Sequence, residues 1–125
     1  MQQDLKVFGP YTPIRKAGEF YFISGQIGVD KLGNTPDNFS EQFEITIRNL
    51  IGVLASERLE LSNLVNVRIY LVEIDNFDEL NRLFAKYFTG IGPSRECVAV
   101  KSLPKVSNNQ VDLQVEISAV AYAKI

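Results

Sequence analysis

Hydrophobic and polar positions along this chain switch repeatedly between the two-residue period of a strand and the helical period, and each switch marks an element. Residues 4–8 form a short β-compatible segment stopped by Gly9-Pro10. A turn over Lys16-Ala17-Gly18-Glu19 leads into Phe20-Tyr21-Phe22-Ile23, a strand closed by Ser24-Gly25-Gln26. Asp30-Lys31-Leu32-Gly33-Asn34 reads as a tight turn. Asn38, with Glu41 three residues on, resembles a capping box, after which Phe39, Phe43, Ile47, Leu50, Ile51 and Leu54 recur at helical spacing. This predicts an amphipathic helix of about four turns.

Past a polar connection at 57–63, Val65, Val67, Ile69 and Leu71 alternate with Asn66, Arg68 and Tyr70, as in a half-buried strand. Asn76 and Glu79 repeat the capping pattern ahead of a second apolar helix face, Phe77, Leu80, Phe84, Tyr87 and Phe88, which ends near Thr89-Gly90. In 95–100 the alternation turns Val98 and Val100 towards a core and leaves Arg95 and Cys97 on the opposite face. Residues 111–122 form the last strand, with Val111, Leu113, Val115, Ile117 and Ala119 on one face and Glu116 on the polar one. A late, long strand of this kind is expected near the sheet centre, paired with the Arg95 strand.

This order predicts an α+β fold, one domain over 1–125, with two helices on one face of a mixed sheet. Tyr21, Ile23, Tyr70, Ala99 and Val120 are assigned to the other face, which is then too apolar for free solvent and implies self-association. Composition narrows the function classes. A formal net charge of −2 without basic clusters weighs against nucleic acid as a partner. No apolar run is long enough to span a bilayer. One cysteine, Cys97, and no signal-like start point to a reducing cytosol. The absence of histidine excludes a Cys/His zinc site and a His-assisted nucleophile, so catalysis must rely on Arg, Glu, Asp, Tyr, Ser, backbone groups and water.

Arg95 is the leading candidate for chemistry, because a guanidinium fork on a strand binds a carboxylate through two parallel hydrogen bonds. Pro93 keeps Ser94 extended just ahead of it. Tyr11, in a Gly-Pro-Tyr loop, either presents a phenol or covers the core edge. Gly25 either admits a ligand or marks a strand-end kink. Asn81 is either an exposed helix residue or a ligand contact, and Glu116 alone reads as a solvated carboxylate.

Taken together, Gly9-Pro10-Tyr11, Ser24-Gly25-Gln26-Ile27, Asn81, Tyr87-Phe88, Pro93-x-Arg95-x-Cys97-Val98, Leu103-Pro104 and Val115-Glu116-Ile117 resemble the reactive intermediate deaminase A (RidA) family, also called YjgF/YER057c/UK114. The resemblance spans nearly the whole chain in motif order. It implies a chorismate-mutase-like fold, a homotrimer with sites in the clefts between subunits, and hydrolysis of 2-iminobutanoate and 2-iminopropanoate to 2-oxo acids and ammonia without metal or organic cofactor. It further implies that Arg95 holds the substrate carboxylate and Glu116 orients the attacking water. Tyr11, Ser24, Gly25, Asn81 and the backbone around Cys97 would shape the pocket.

The chain departs from the family pattern at Thr12-Pro13, in place of Ser-Gln, at Gly28, in place of proline, and at Ser118, in place of a second glutamate. Residues 105–110 also look longer than the usual hairpin. Two other functions compete. A non-catalytic binder of small carboxylates such as 2-oxo acids would need only Arg95 and Tyr11. A ribonuclease or translation inhibitor is opposed by the mild acidity and the missing histidine.

Overall fold

The computed structural model describes residues 5–124. Its first strand, β1 (Ile14–Ala17), pairs antiparallel with β2 (Phe20–Ile27) through a turn at Gly18-Glu19, where Gly18 has φ +63. The strand expected at 4–8 is absent: residues 5–8 are irregular, and Asp4 lies outside the described residues. Arg15 and Lys16 hid β1 by making it read as part of the turn, whereas hairpin geometry favours a connection of only two residues.

Helix α1 (Phe39–Ala55) starts where the capping pattern places it, with Asn38 Oδ1 accepting a hydrogen bond from the Glu41 amide at 3.1 Å. Phe39, Phe43, Ile47, Leu50 and Leu54 are buried, while Ile51 lies outside the stripe and is exposed. A 3-10 turn at Leu61–Asn63 leads into β3 (Leu64–Leu71). The second helix, α2 (Phe77–Phe84), is shorter than its apolar pattern suggests. It has no side-chain cap, because Asn76 closes a preceding 3-10 turn and its amide reaches Gln114 instead. Strands β4 (Ser94–Ala99) and β5 (Val115–Tyr122) complete a mixed five-stranded sheet in the order β1-β2-β5-β3-β4.

β5 is therefore central, as expected, but it pairs with β2 and β3 rather than with the Arg95 strand. β3 separates the two, lying parallel to β4. Helix residues Phe43, Ile47, Leu50, Leu54, Leu80 and Leu83 pack with Tyr21, Ile23, Val67, Ile69 and Ile117 in one core on one sheet face. Tyr21 and Ile23 are thus on the covered face, not the open one. The run 20–23 is apolar on both sides, so alternation could not set its phase. The open face instead carries Phe20, Phe22, Val98 and Val120, with Phe22 49% and Val98 44% exposed. Ala99, beside Leu71, belongs to the covered side at the sheet edge.

Buried Gln42 ties α1 to the segment before β5. Its amide donates to the carbonyls of Pro36 (2.9 Å) and Asp112 (3.0 Å), and its Oε1 accepts from the Gln114 amide (2.8 Å). This satisfies a polar group in the core and anchors the chain two residues before Glu116.

Candidate functional site

Glu116 stands on the open face of β5, in register with Ile27 of β2 and Tyr70 of β3. The β2–β5 register shifts between Ile23 and Gln26, which puts Ser24 and Gly25 in an irregularity next to it. The Gly25 backbone approaches the carboxylate so closely that a Cβ there would lie 2.2 Å from Glu116 Oε2. The Ser24 amide donates to the Pro13 carbonyl (3.0 Å) and its hydroxyl to the Thr12 carbonyl (2.7 Å), which fastens the Tyr11 loop to β2. The Tyr11 amide donates to the Gly9 carbonyl at 2.9 Å, and the Phe8 amide donates to the Tyr11 hydroxyl at 3.4 Å.

Tyr11, Ser24, Gly25 and Glu116 thereby line one cleft of about 400 Å³, together with apolar residues that include Phe8 and Val106. Partial burial pushes the Glu116 carboxyl above its ordinary value of 4.5, because desolvation disfavours the charged form. A larger hollow of about 610 Å³ beside α1 shares Tyr11 and Gly25 but contains neither Glu116 nor Arg95.

Arg95 has a different setting. Its guanidinium lies over Phe84 (5.1 Å to the ring centroid) and Phe77 (5.7 Å), and Nη2 donates to Asn81 Oδ1 at 2.7 Å. Two aromatic faces and one amide oxygen hold the fork in place. Asn81 thus contacts the arginine itself and is half-buried rather than exposed. Phe77 and Phe84, read from the sequence as core residues, serve as the arginine's bed. Cys97 is partly buried against the core, and burial pushes its thiol up against the opposing pull of Arg95, so the thiol stays protonated and a poor nucleophile.

The expected placement of Arg95 and Cys97 on the face away from the core is corrected by the register. Arg95 lies beside Val67 and Cys97 beside Ile69, both buried on the helix-covered side, while Val98 lies beside Tyr70 on the open side. β4 is an edge strand, so the burial that decides its phase comes from α2, an influence its own alternation does not record. Arg95 and Glu116 consequently occupy opposite faces of the sheet. Within one chain the structure gathers Tyr11, Ser24, Gly25 and Glu116 in one group and Arg95, Asn81 and Cys97 in another. Among the described residues, no group of three or more His, Cys, Asp or Glu could hold a metal ion.

The family model described as Endoribonuclease L-PSP matches residues 1–123. The chain belongs to this family. Its relatives include the mitochondrial protein MMF1 of Saccharomyces cerevisiae, 38% identical over 116 residues that cover 88% of this chain and 74% of that protein. Among solved structures, RidA from the Antarctic bacterium Psychrobacter sp. PAMC 21119 superposes with a TM-score of 0.88 at 27% identity, covering 98% of this chain and 97% of that one. TdcF of E. coli, solved with bound serine, gives 0.87 at 25% identity over 99% and 96%. These relatives agree with the RidA/YjgF resemblance drawn from the motifs. No helix among the described residues is long and apolar enough to cross a membrane.

Proposed function

We propose that the protein is a 2-imino acid deaminase acting on substrates such as 2-iminobutanoate and 2-iminopropanoate, in clefts between the subunits of a homotrimer. The observation that carries this reading is the division of the two charged groups between opposite sheet faces, each in a prepared setting. Arg95 has its fork held by Phe77, Phe84 and Asn81 near the β4 edge, and Glu116 sits partly desolvated on the open face. A second copy covering the apolar open face would bring one chain's Arg95 group to another chain's Glu116 group.

In this reading Arg95 takes the substrate carboxylate through two parallel hydrogen bonds. The imine carbon is electrophilic once its nitrogen is protonated, so the remaining task is to place a water and move protons. Glu116 accepts a proton as the water oxygen attacks, and the C=N electron pair shifts to nitrogen, giving a carbinolamine. Glu116 then returns its proton to the carbinolamine nitrogen, and the C–N bond breaks as the hydroxyl gives its proton to solvent water and C=O forms, which balances the proton first taken up by the imine nitrogen. One imine and one water yield one 2-oxo acid and one ammonia. Cys97 contributes backbone and wall, and its compartment in this reading is the reducing cytosol. The name of the yeast relative puts that protein in mitochondria.

The serine bound to TdcF favours a second reading, a binder of small carboxylates that does no chemistry. Mixing separates the two. Arg95→Ala and Glu116→Ala proteins, each inactive alone, are unfolded and refolded together, and imine hydrolysis is measured in competition with semicarbazide. Shared clefts predict recovery of part of the wild-type activity, since a mixed trimer contains clefts with both groups intact. If wild type is active and the mixture stays inactive despite verified mixed trimers, the shared-cleft reading fails. If wild type accelerates no imino acid, the catalytic reading fails and carboxylate binding remains.

A further inference from the structure

The segment between Pro104 and Leu113 is held in place by side chains that the proposed chemistry does not use. Lys105 Nζ meets Asp112 Oδ1 at 3.2 Å across the loop base. The Ser107 hydroxyl is buried and donates to the Val111 carbonyl at 3.1 Å. At the tip, the Asn108 amide donates to the Gly33 carbonyl (2.7 Å) and its Nδ2 to the Leu32 carbonyl (3.1 Å). Asn109 mimics a strand partner: its Oδ1 accepts from the Thr35 amide (3.1 Å) and its Nδ2 donates to the Thr35 carbonyl (2.8 Å). The receiving turn is closed by Asp30, whose Oδ1 accepts from the amides of Leu32 and Asn34, both at 2.9 Å. A loop stapled at base and tip is a rigid wall, and Val106 on that wall lines the Glu116 cleft together with Phe8, Ile27 and Leu113.

We propose that Val106, held by the Asn108–Asn109 staple, sets the length limit for the substrate side chain. This rests on the deaminase reading, which assigns the polar end of the substrate to Arg95 and Glu116. The side chain is left against the part of the cleft formed by Phe8, Ile27, Pro104, Val106 and Leu113, where no charged group other than Glu116 is present. An uncharged chain gains roughly fourfold in kcat/KM per methylene it buries there. A chain that reaches Val106 gains nothing further, because the staple prevents the wall from receding.

The test compares kcat/KM for imines generated from alanine, 2-aminobutyrate, norvaline, leucine and glutamate, in wild type, Val106→Ala and Asn109→Ala. Val106 is only partly buried, so its truncation leaves the core intact. Expected for Val106→Ala is a rise of roughly four- to tenfold in the leucine-to-2-aminobutyrate ratio, with the glutamate imine still poor. Asn109→Ala should flatten the length dependence by freeing the loop. An active Val106→Ala protein with wild-type ratios overturns the proposal. If no imine is turned over, the deaminase reading falls. The proposal is then judged from dissociation constants of the matching 2-oxo acids, where an unchanged length ratio, or no binding, overturns it.

Discussion

Replacing Gly25 with alanine tests whether the Glu116 carboxylate must stand where it does. The added methyl would lie 2.2 Å from Glu116 Oε2, 2.7 Å from Cδ and 3.0 Å from Cγ. Favourable contacts begin near about 3.5 Å, so the carboxylate must withdraw by roughly 1 Å. The obstacle is the free end of a side chain, and the backbone at Gly25 is outside the left-handed region, so the fold absorbs the change within about 1 kcal/mol. In the proposed role of Glu116, positioning the reacting water, a displacement of about 1 Å should lower turnover by about 100-fold. Gly28→Ala is the control. Its Cβ would meet the Gln42 backbone oxygen at 2.8 Å and Cα at 3.0 Å, and α1 cannot swing aside as a carboxylate can. That variant should lose about 1–3 kcal/mol of stability yet retain its activity per folded molecule. The assays are thermal melting, sizing of the assembly, and imine hydrolysis in competition with semicarbazide. A folded, normally assembled Gly25→Ala protein with wild-type kcat would refute the reasoning, since the carboxylate would have moved without consequence.

The settings of the other groups give further expectations. Phe84→Leu removes one of the two rings beneath Arg95, and a lost cation–π contact of about 1 kcal/mol should weaken 2-oxo acid binding about fivefold by calorimetry, with Arg95→Lys losing roughly 10- to 100-fold because an ammonium cannot form the fork. In the proposed chemistry Glu116 acts as a base only when ionised, and desolvation raises its pKa in the free protein, so kcat/KM should fall as pH drops, with a midpoint above the ordinary 4.5. A kcat/KM profile flat down to pH 4 in wild type would remove Glu116 from the proton transfer. Asn38→Ala should cost about 1 kcal/mol, read as a melting temperature lower by about 4 °C, whereas Asn76→Ala, which removes no cap, should change stability by less than about 0.5 kcal/mol.

The period of the hydrophobic pattern made α1 legible and β3 and β5 legible in part: the β3 stripe holds at Val67, Ile69 and Leu71 but fails at Val65, which is exposed beside a register shift, and β5 begins at Val115 rather than at 111. Asn38 was legible as a cap, while Asn76 shows the limit: an identical pair of residue types caps nothing when a 3-10 turn precedes the helix. The candidate site divides along the same line. Gly25, Ser24 and Tyr11 announce themselves by turn chemistry, and the structure brings them to Glu116. The face of Arg95 could not be read, because β4 is an edge strand whose burial comes from a different element, α2, which its own alternation does not record. The alternation offered Val98 to the core, yet Val98 faces the open side and Arg95 lies over phenylalanines that looked like ordinary packing. The reversal alters the chemistry available to one chain. Had Arg95 and Glu116 shared a face, a single copy could have held both ends of a substrate. With the sheet between them, the proposed shared site calls on a second copy to bring its Arg95 to the Glu116 cleft, and the exposed Phe22 and Val98 offer that copy an apolar surface to cover.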